Sequence, residues 1–82
     1  LGVLDLTTNT IIAEIPVGTN PFDVALNPTS NRAYVTNVFS NDVSVIDLTT
    51  NAVIATIPLG ASPRGIIILP NADKAYVATV PN

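Results

Sequence analysis

The 82 residues contain no cysteine, no histidine, no methionine and no tryptophan, and only three basic side chains against six acidic ones. Without cysteine there is neither a disulfide nor a thiol nucleophile, although the redox compartment stays open. Without histidine there is no imidazole base, and no ligand of the kind that holds haem or copper. A chain that starts at Leu1 and holds no methionine reads as processed, cut from something longer or made by design. A net charge of −3 with so few cations is wrong for tracking a phosphate backbone, so nucleic acid is not an expected partner. The longest apolar run, Ile66 to Leu69, falls far short of the roughly 20 residues of a membrane helix, so no membrane insertion is expected; nor does the start read as a signal peptide.

What is present is a repeat. Sliding the sequence on itself by 42 residues aligns positions 1–40 with 43–82 without a gap, and 17 of the 40 pairs are identical. They include Asp5/Asp47, Thr7/Thr49, Thr8/Thr50, Asn9/Asn51, Pro16/Pro58, Gly18/Gly60, Pro21/Pro63 and Pro28/Pro70. At 48% hydrophobic the chain is too apolar for disorder. Proline recurs at 16, 21, 28, 58, 63, 70 and 81, and no window of 12 residues avoids turn residues or β-branched runs, so the repeat is one of short strands and not of helices. Four strands per period are expected, at 22–26, 32–37, 43–48 and 52–57, joined by tight turns in an antiparallel meander. Asn9 and Asn51 suit the left-handed position of a turn, and Asp5 and Asp47 suit capping that turn through its N–H groups and threonine hydroxyls rather than holding a metal. Pro16 and Pro58 place the fourth strand at a sheet edge. Ile66 to Leu69 and Ala33-Tyr34-Val35 are apolar on both faces, so these sheets need cover on both sides.

Tyr34-Val35-Thr36-Asn37, with Val43-Ser44-Val45-Ile46-Asp47-Leu48-Thr49-Thr50-Asn51 and Ile54-Ala55-Thr56-Ile57-Pro58-Leu59-Gly60, resembles the YVTN-repeat β-propeller family over essentially the whole chain. In the second copy the tetrapeptide drifts to Tyr76-Val77-Ala78-Thr79. The resemblance implies an all-β fold of propeller blades, each a four-stranded antiparallel meander lettered A to D. Residues 1–15 then form a half-blade (C, D), 22–57 a complete blade (A to D) and 64–80 a half-blade (A, B). It also implies a secreted or cell-surface protein, as in surface layers, whereas related propellers bind haem or copper or hydrolyse lactones.

A blade face measures about 20 by 16 Å, so an uncovered apolar face of roughly 300 Å² forfeits on the order of 7 kcal/mol. The expected partners are therefore further blades, from copies of this chain or from a parent chain, in a ring or in an open fibre. The loops at one rim of the disc form the default ligand site: Thr19, Asn20, Phe22, Asp23, Asn37, Phe39, Asn41, Asp42, Ser62 and Arg64. Phe22 against Arg64, and Asp23 against Gly65, differ between the copies where the fold does not demand it. Arg64 is either an anion ligand or a solvated loop cation; Asp23 either joins a cation site at the axis or bonds to a neighbouring blade. Tyr34 and Tyr76 read as packing residues between blades. Catalytic, cofactor-binding and metal residues are not expected, since the serines have no base in any motif, Glu14 has no carboxylate partner, and Gly2, Gly18, Gly60 and Gly65 make no phosphate cradle. The reading is a non-catalytic structural or interaction module without cofactor and with an unknown small-molecule ligand, if any. The alternative is the propeller portion of a redox or hydrolytic enzyme whose chemical residues lie elsewhere.

Overall fold

Asparagine sets the turns of this chain. Asn9, Asn20, Asn31, Asn41 and Asn51 all take φ between 55° and 58°, and Asp73 takes 57°, a left-handed conformation that Asn and Asp tolerate better than other residues with a side chain. Of these, the sequence pointed only to Asn9 and Asn51. Asp5 caps the first turn by accepting from the backbone N–H and the hydroxyl of Thr7 at 2.8 and 2.6 Å, and Asp47 accepts from the Thr49 N–H at 2.8 Å. Those bonds to Thr7 favour the ionised carboxylate and hold the Asp5 pKa below its ordinary value of 3.8. A carboxylate with a lowered folded-state pKa contributes stability above its unfolded pKa, and that contribution is lost as pH falls through the folded one. Asp5→Asn is therefore expected to lower stability at pH 7, and the gap to the parent is expected to close on acidification below about pH 4, as read by urea denaturation at several pH values.

Between these turns the computed structural model, which describes residues 1–69, 71 and 73–81, has eight strands. They are β1 (Gly2–Asp5), β2 (Thr10–Glu14), β3 (Pro21–Asn27), β4 (Arg32–Asn37), β5 (Asp42–Asp47), β6 (Ala52–Pro58), β7 (Ser62–Leu69) and β8 (Lys74–Val80). All pairings are antiparallel, in three sheets ordered β1-β2, β3-β4-β5-β6 and β7-β8. The fold is thus all-β, a partial propeller of one complete blade flanked by two half-blades. The repeat extends to backbone irregularities: the register shifts between Val3 and Leu4 in one copy and between Val45 and Ile46, the same repeat position, in the other. Pro58 ends the edge strand β6, as its missing donor suggested. Pro21 and Pro63, expected in loops, instead lie at the starts of β3 and β7, where a strand tolerates proline. The turn expected around Pro28 has its repeat partly at Pro70 and Ala72, outside the described residues.

Packing follows from alternation along the central strands. Ala33, Val35 and Ile46 point to one face, where Ile15, Leu1 and Val3 of the first half-blade pack on them. Tyr34 and Thr36 point to the other face, toward β7. Because the chain carries each position twice, it contains its own control for burial. Ile46 is 0% exposed but its repeat equivalent Leu4 is 51%; Val38 is 6% but Val80 is 45%; Ile66 is 7% but Val24 is 44%. Residue type is nearly constant within each pair, so exposure reports which neighbouring strands are missing, not which residues are polar.

Candidate functional site

Three loops converge at one rim of the stacked sheets. The segment before β3 lies on the β4–β5 turn through Val38 N–H to Asn20 O (2.9 Å), Phe39 N–H to Thr19 O (3.2 Å) and Thr19 N–H to Ser40 Oγ (3.0 Å). The segment after β6 joins them through Leu59 N–H to Asn41 O (2.9 Å), and Ser62 donates its hydroxyl to Val38 O at 3.0 Å. Thr19, Asn20, Asn37, Phe39, Asn41, Asp42 and Ser62 therefore lie on adjoining segments. Their polar groups are largely spent on each other. Asn37, fully buried, donates from Nδ2 to Asp42 Oδ1 (2.8 Å) and Ser44 Oγ (2.9 Å), while Ser40 donates to the same Asp42 oxygen (2.9 Å). Asn20 and Asn41 serve the backbone through their positive φ. Phe39 remains exposed beside them. Ser40, within the expected rim segment Asn37 to Asp42, joins them, while Ser44 and Gly18 complete the cluster and signal themselves only through what they touch.

Phe22, Asp23 and Arg64 form a second group where β3 and β7 meet. Asp23 accepts from its neighbour Val24 N–H through Oδ1 (2.9 Å) and from Ile66 N–H, in the next sheet, through Oδ2 (3.1 Å). Of its two readings, the structure takes the bond to a neighbouring blade. Thr36 strengthens the same seam, accepting from Asp23 N–H at 3.1 Å and donating to Arg64 O at 2.8 Å. The Arg64 guanidinium carbon lies 6.0 Å from the centroid of the Phe22 ring, at cation–π distance. The two side chains that replace each other between the copies thus touch each other.

The far end of the blade holds a feature that the sequence reading passed over. Asn27 is buried with an amide oxygen that has no protein partner, beside a cavity of about 200 Å³ lined also by Tyr34, Ile68, Asp73, Lys74 and Ala75. Its signal was available, since the repeat equivalent is the apolar Leu69. Tyr34 lies between sheets as expected, whereas Tyr76, on β8 of the two-stranded sheet, is exposed among the described residues. Among the described residues no three His, Cys, Asp or Glu side chains gather as metal ligands, and no helix is long and apolar enough to cross a membrane.

No family model matches the chain, and no curated protein matches it. Among solved structures, a chain titled Kuenenia stuttgartiensis hydrazine synthase is similar, with a TM-score of 0.85 and 36% sequence identity over 93% of the present residues. The match spans only 22% of that chain, about a fifth of its length. This corrects the expectation that the protein is not an enzyme, because the similar protein is one. Missing His and Cys describe these 82 residues alone, whereas some four-fifths of the similar chain lies outside the matched part. The chain is a partial β-propeller, similar over nearly all its length to one fifth of an enzyme chain.

Proposed function

We propose that this chain is the propeller portion of an enzyme, a repeat scaffold whose blades pack on further blades and so hold the rest of the protein in place. The observation that carries this reading is the 36% identity, over nearly all of this chain, to a part of an enzyme. Membership of the YVTN-repeat family is part of the proposal, supported by the work each residue of the tetrapeptide does. Tyr34 and Val35 fill opposite faces, Thr36 bonds into the next sheet, and Asn37 ties the β4–β5 turn to Ser44. A secreted or cell-surface location goes with that family reading, and an absence of nucleic-acid partners with the net charge of −3. The rim from Thr19 to Arg64 is the surface this scaffold offers to a ligand or to another part of the enzyme.

The test is a chimera in which these residues replace the matched part of the hydrazine synthase chain. A scaffold is interchangeable, so the chimera is expected to fold and to keep its synthase activity within about tenfold, a loss of at most about 1.4 kcal/mol in transition-state stabilisation. A chimera that folds but is inactive would show that the matched part does more than hold blades, and a chimera that does not fold would show that the blades are not equivalent.

A further inference from the structure

The cavity at the far end of the complete blade has a wall on each of two sheets. Asn27 ends β3 and Tyr34 lies on β4, while Ile68, Asp73, Lys74 and Ala75 come from β7, the turn after it and β8. Both walls are supplied from within the 82 residues, whatever repeats lie on either side of them. We propose that this cavity binds a small zwitterion, an α-amino acid with a short apolar side chain. The proposal does not rest on the chain's being part of an enzyme.

Three observations select that class. The first is a polar group that the fold does not need. Asn27 is only 7% exposed, and its amide oxygen has no hydrogen-bond partner. Burying an acceptor without a donor costs about 1–3 kcal/mol. The repeat does not ask for it, since the same position in the second copy is Leu69. On the facing wall Asp73 stands where the first copy has Asn31, whose amide is spent on the Thr49 hydroxyl at 2.7 Å. A half-turn of the Asn27 amide, about a soft two-fold torsion, presents either its oxygen or its NH2 to the cavity. A ligand that both donates and accepts accounts for a carboxamide kept at this one seam.

The second is charge of both signs. Asp73 repels a free anion and Lys74 a free cation, whereas a zwitterion meets each with the opposite charge. The ammonium end belongs with Asp73 and the Asn27 oxygen, and the carboxylate end with Lys74 and the Tyr34 hydroxyl, which donates.

The third is size. A volume of about 200 Å³ is far more than one water requires. It matches roughly six or seven waters, or one molecule of about that many non-hydrogen atoms, and alanine falls in that range. Ile68 and Ala75 give the wall an apolar part for a methyl group.

The test titrates the purified protein with L-alanine, with ethylamine, which carries only the ammonium group, and with propionate, which carries only the carboxylate. Binding is read by NMR from the Asn27 side-chain amide and from the backbone N–H signals of Lys74 and Ala75. L-Alanine is expected to saturate these shifts with a Kd of about 1 mM or below, at least about tenfold tighter than either half-molecule. Asn27→Leu, which copies Leu69, is expected to weaken L-alanine binding at least about tenfold. Its thermal midpoint without ligand is expected at or above the parent's, because an unpartnered buried amide is removed. Ethylamine or propionate binding as tightly as L-alanine would overturn the zwitterion. No saturable shift with any of the three would overturn the site and leave a cavity for water only. Unchanged affinity in Asn27→Leu would overturn the part assigned to Asn27. Lys74 is exposed, so Lys74→Gln keeps the proposal open to refutation should Asn27→Leu fail to fold. That variant is expected to bring L-alanine down to the affinity of ethylamine, and an unchanged affinity overturns the proposal.

Discussion

Ile46→Ala is expected to destabilise the folded chain by about 2–5 kcal/mol, the range for emptying a buried aliphatic position that cannot collapse. Ile46 is fully buried against Ala33, Val35 and Ile15 in the complete blade, with neighbours on both strands of its own sheet and on the sheet beside it. A chain of 82 residues has of the order of 4–12 kcal/mol in total, so this one change removes a large share of it. Leu4→Ala alters the same repeat position in the half-blade, where the side chain is about half exposed, and is expected to cost about 1 kcal/mol in dilute solution. The contrast is the measurement: urea denaturation of both variants followed by circular dichroism. Equal and small effects at both positions would mean that the central blade is not the core.

The glycines of the repeat are expected to fail for different reasons when they are replaced. Gly18 and Gly60 occupy one repeat position, yet a methyl group at Gly18 would sit 2.5 Å from Ser40 Oγ and 2.7 Å from both Cγ and Nδ2 of Asn37. Asn37 is fully buried and tied to Asp42 and Ser44, so it has nowhere to move. Gly60 meets nothing within 4 Å but has φ of +74°. Gly18→Ala is thus an overpacking change of about 1–3 kcal/mol, and Gly60→Ala a backbone change of about 1–2 kcal/mol. Asparagine separates the two mechanisms, because this chain already uses it at positive φ in five turns. Gly60→Asn is expected to lie within about 0.5 kcal/mol of the parent, whereas Gly18→Asn exceeds even Gly18→Ala. Thermal midpoints of the four variants decide it; a Gly18→Asn protein as stable as the parent would show that the Asn37 pocket is not rigid.

Local chemistry was legible in advance. Asp5-Leu6-Thr7-Thr8-Asn9 contains both its cap and its left-handed residue within five positions, and the turn in the structure follows that reading. The edge role of β6 was likewise written in Pro58, since a missing donor needs a place where none is wanted. Pro21 and Pro63 misled because the same residue is compatible with a loop and with the start of a strand. At the candidate site, loop convergence followed from the meander, but the partner of each side chain did not. Arg64 read as an anion ligand or a solvated cation, and only folding brought Phe22, 42 residues earlier, to its guanidinium. Asp23 read two ways, and the choice was made by the Ile66 N–H of another sheet.

By itself, the amino-acid sequence determined the period of 42, the strands, the turns and the need for apolar cover on both faces of each sheet. The strands and turns depend on residues within one or two turns of chain, where alternation, proline and asparagine act directly on the backbone. Tertiary structure alone decided which copy of a repeated residue is buried, why Gly18 and Gly60 are not equivalent, and which carboxylate bridges two sheets. Those outcomes depend on what lies across the gap between sheets, and two identical stretches of sequence acquire different neighbours when one lies in a complete blade and the other at an open edge.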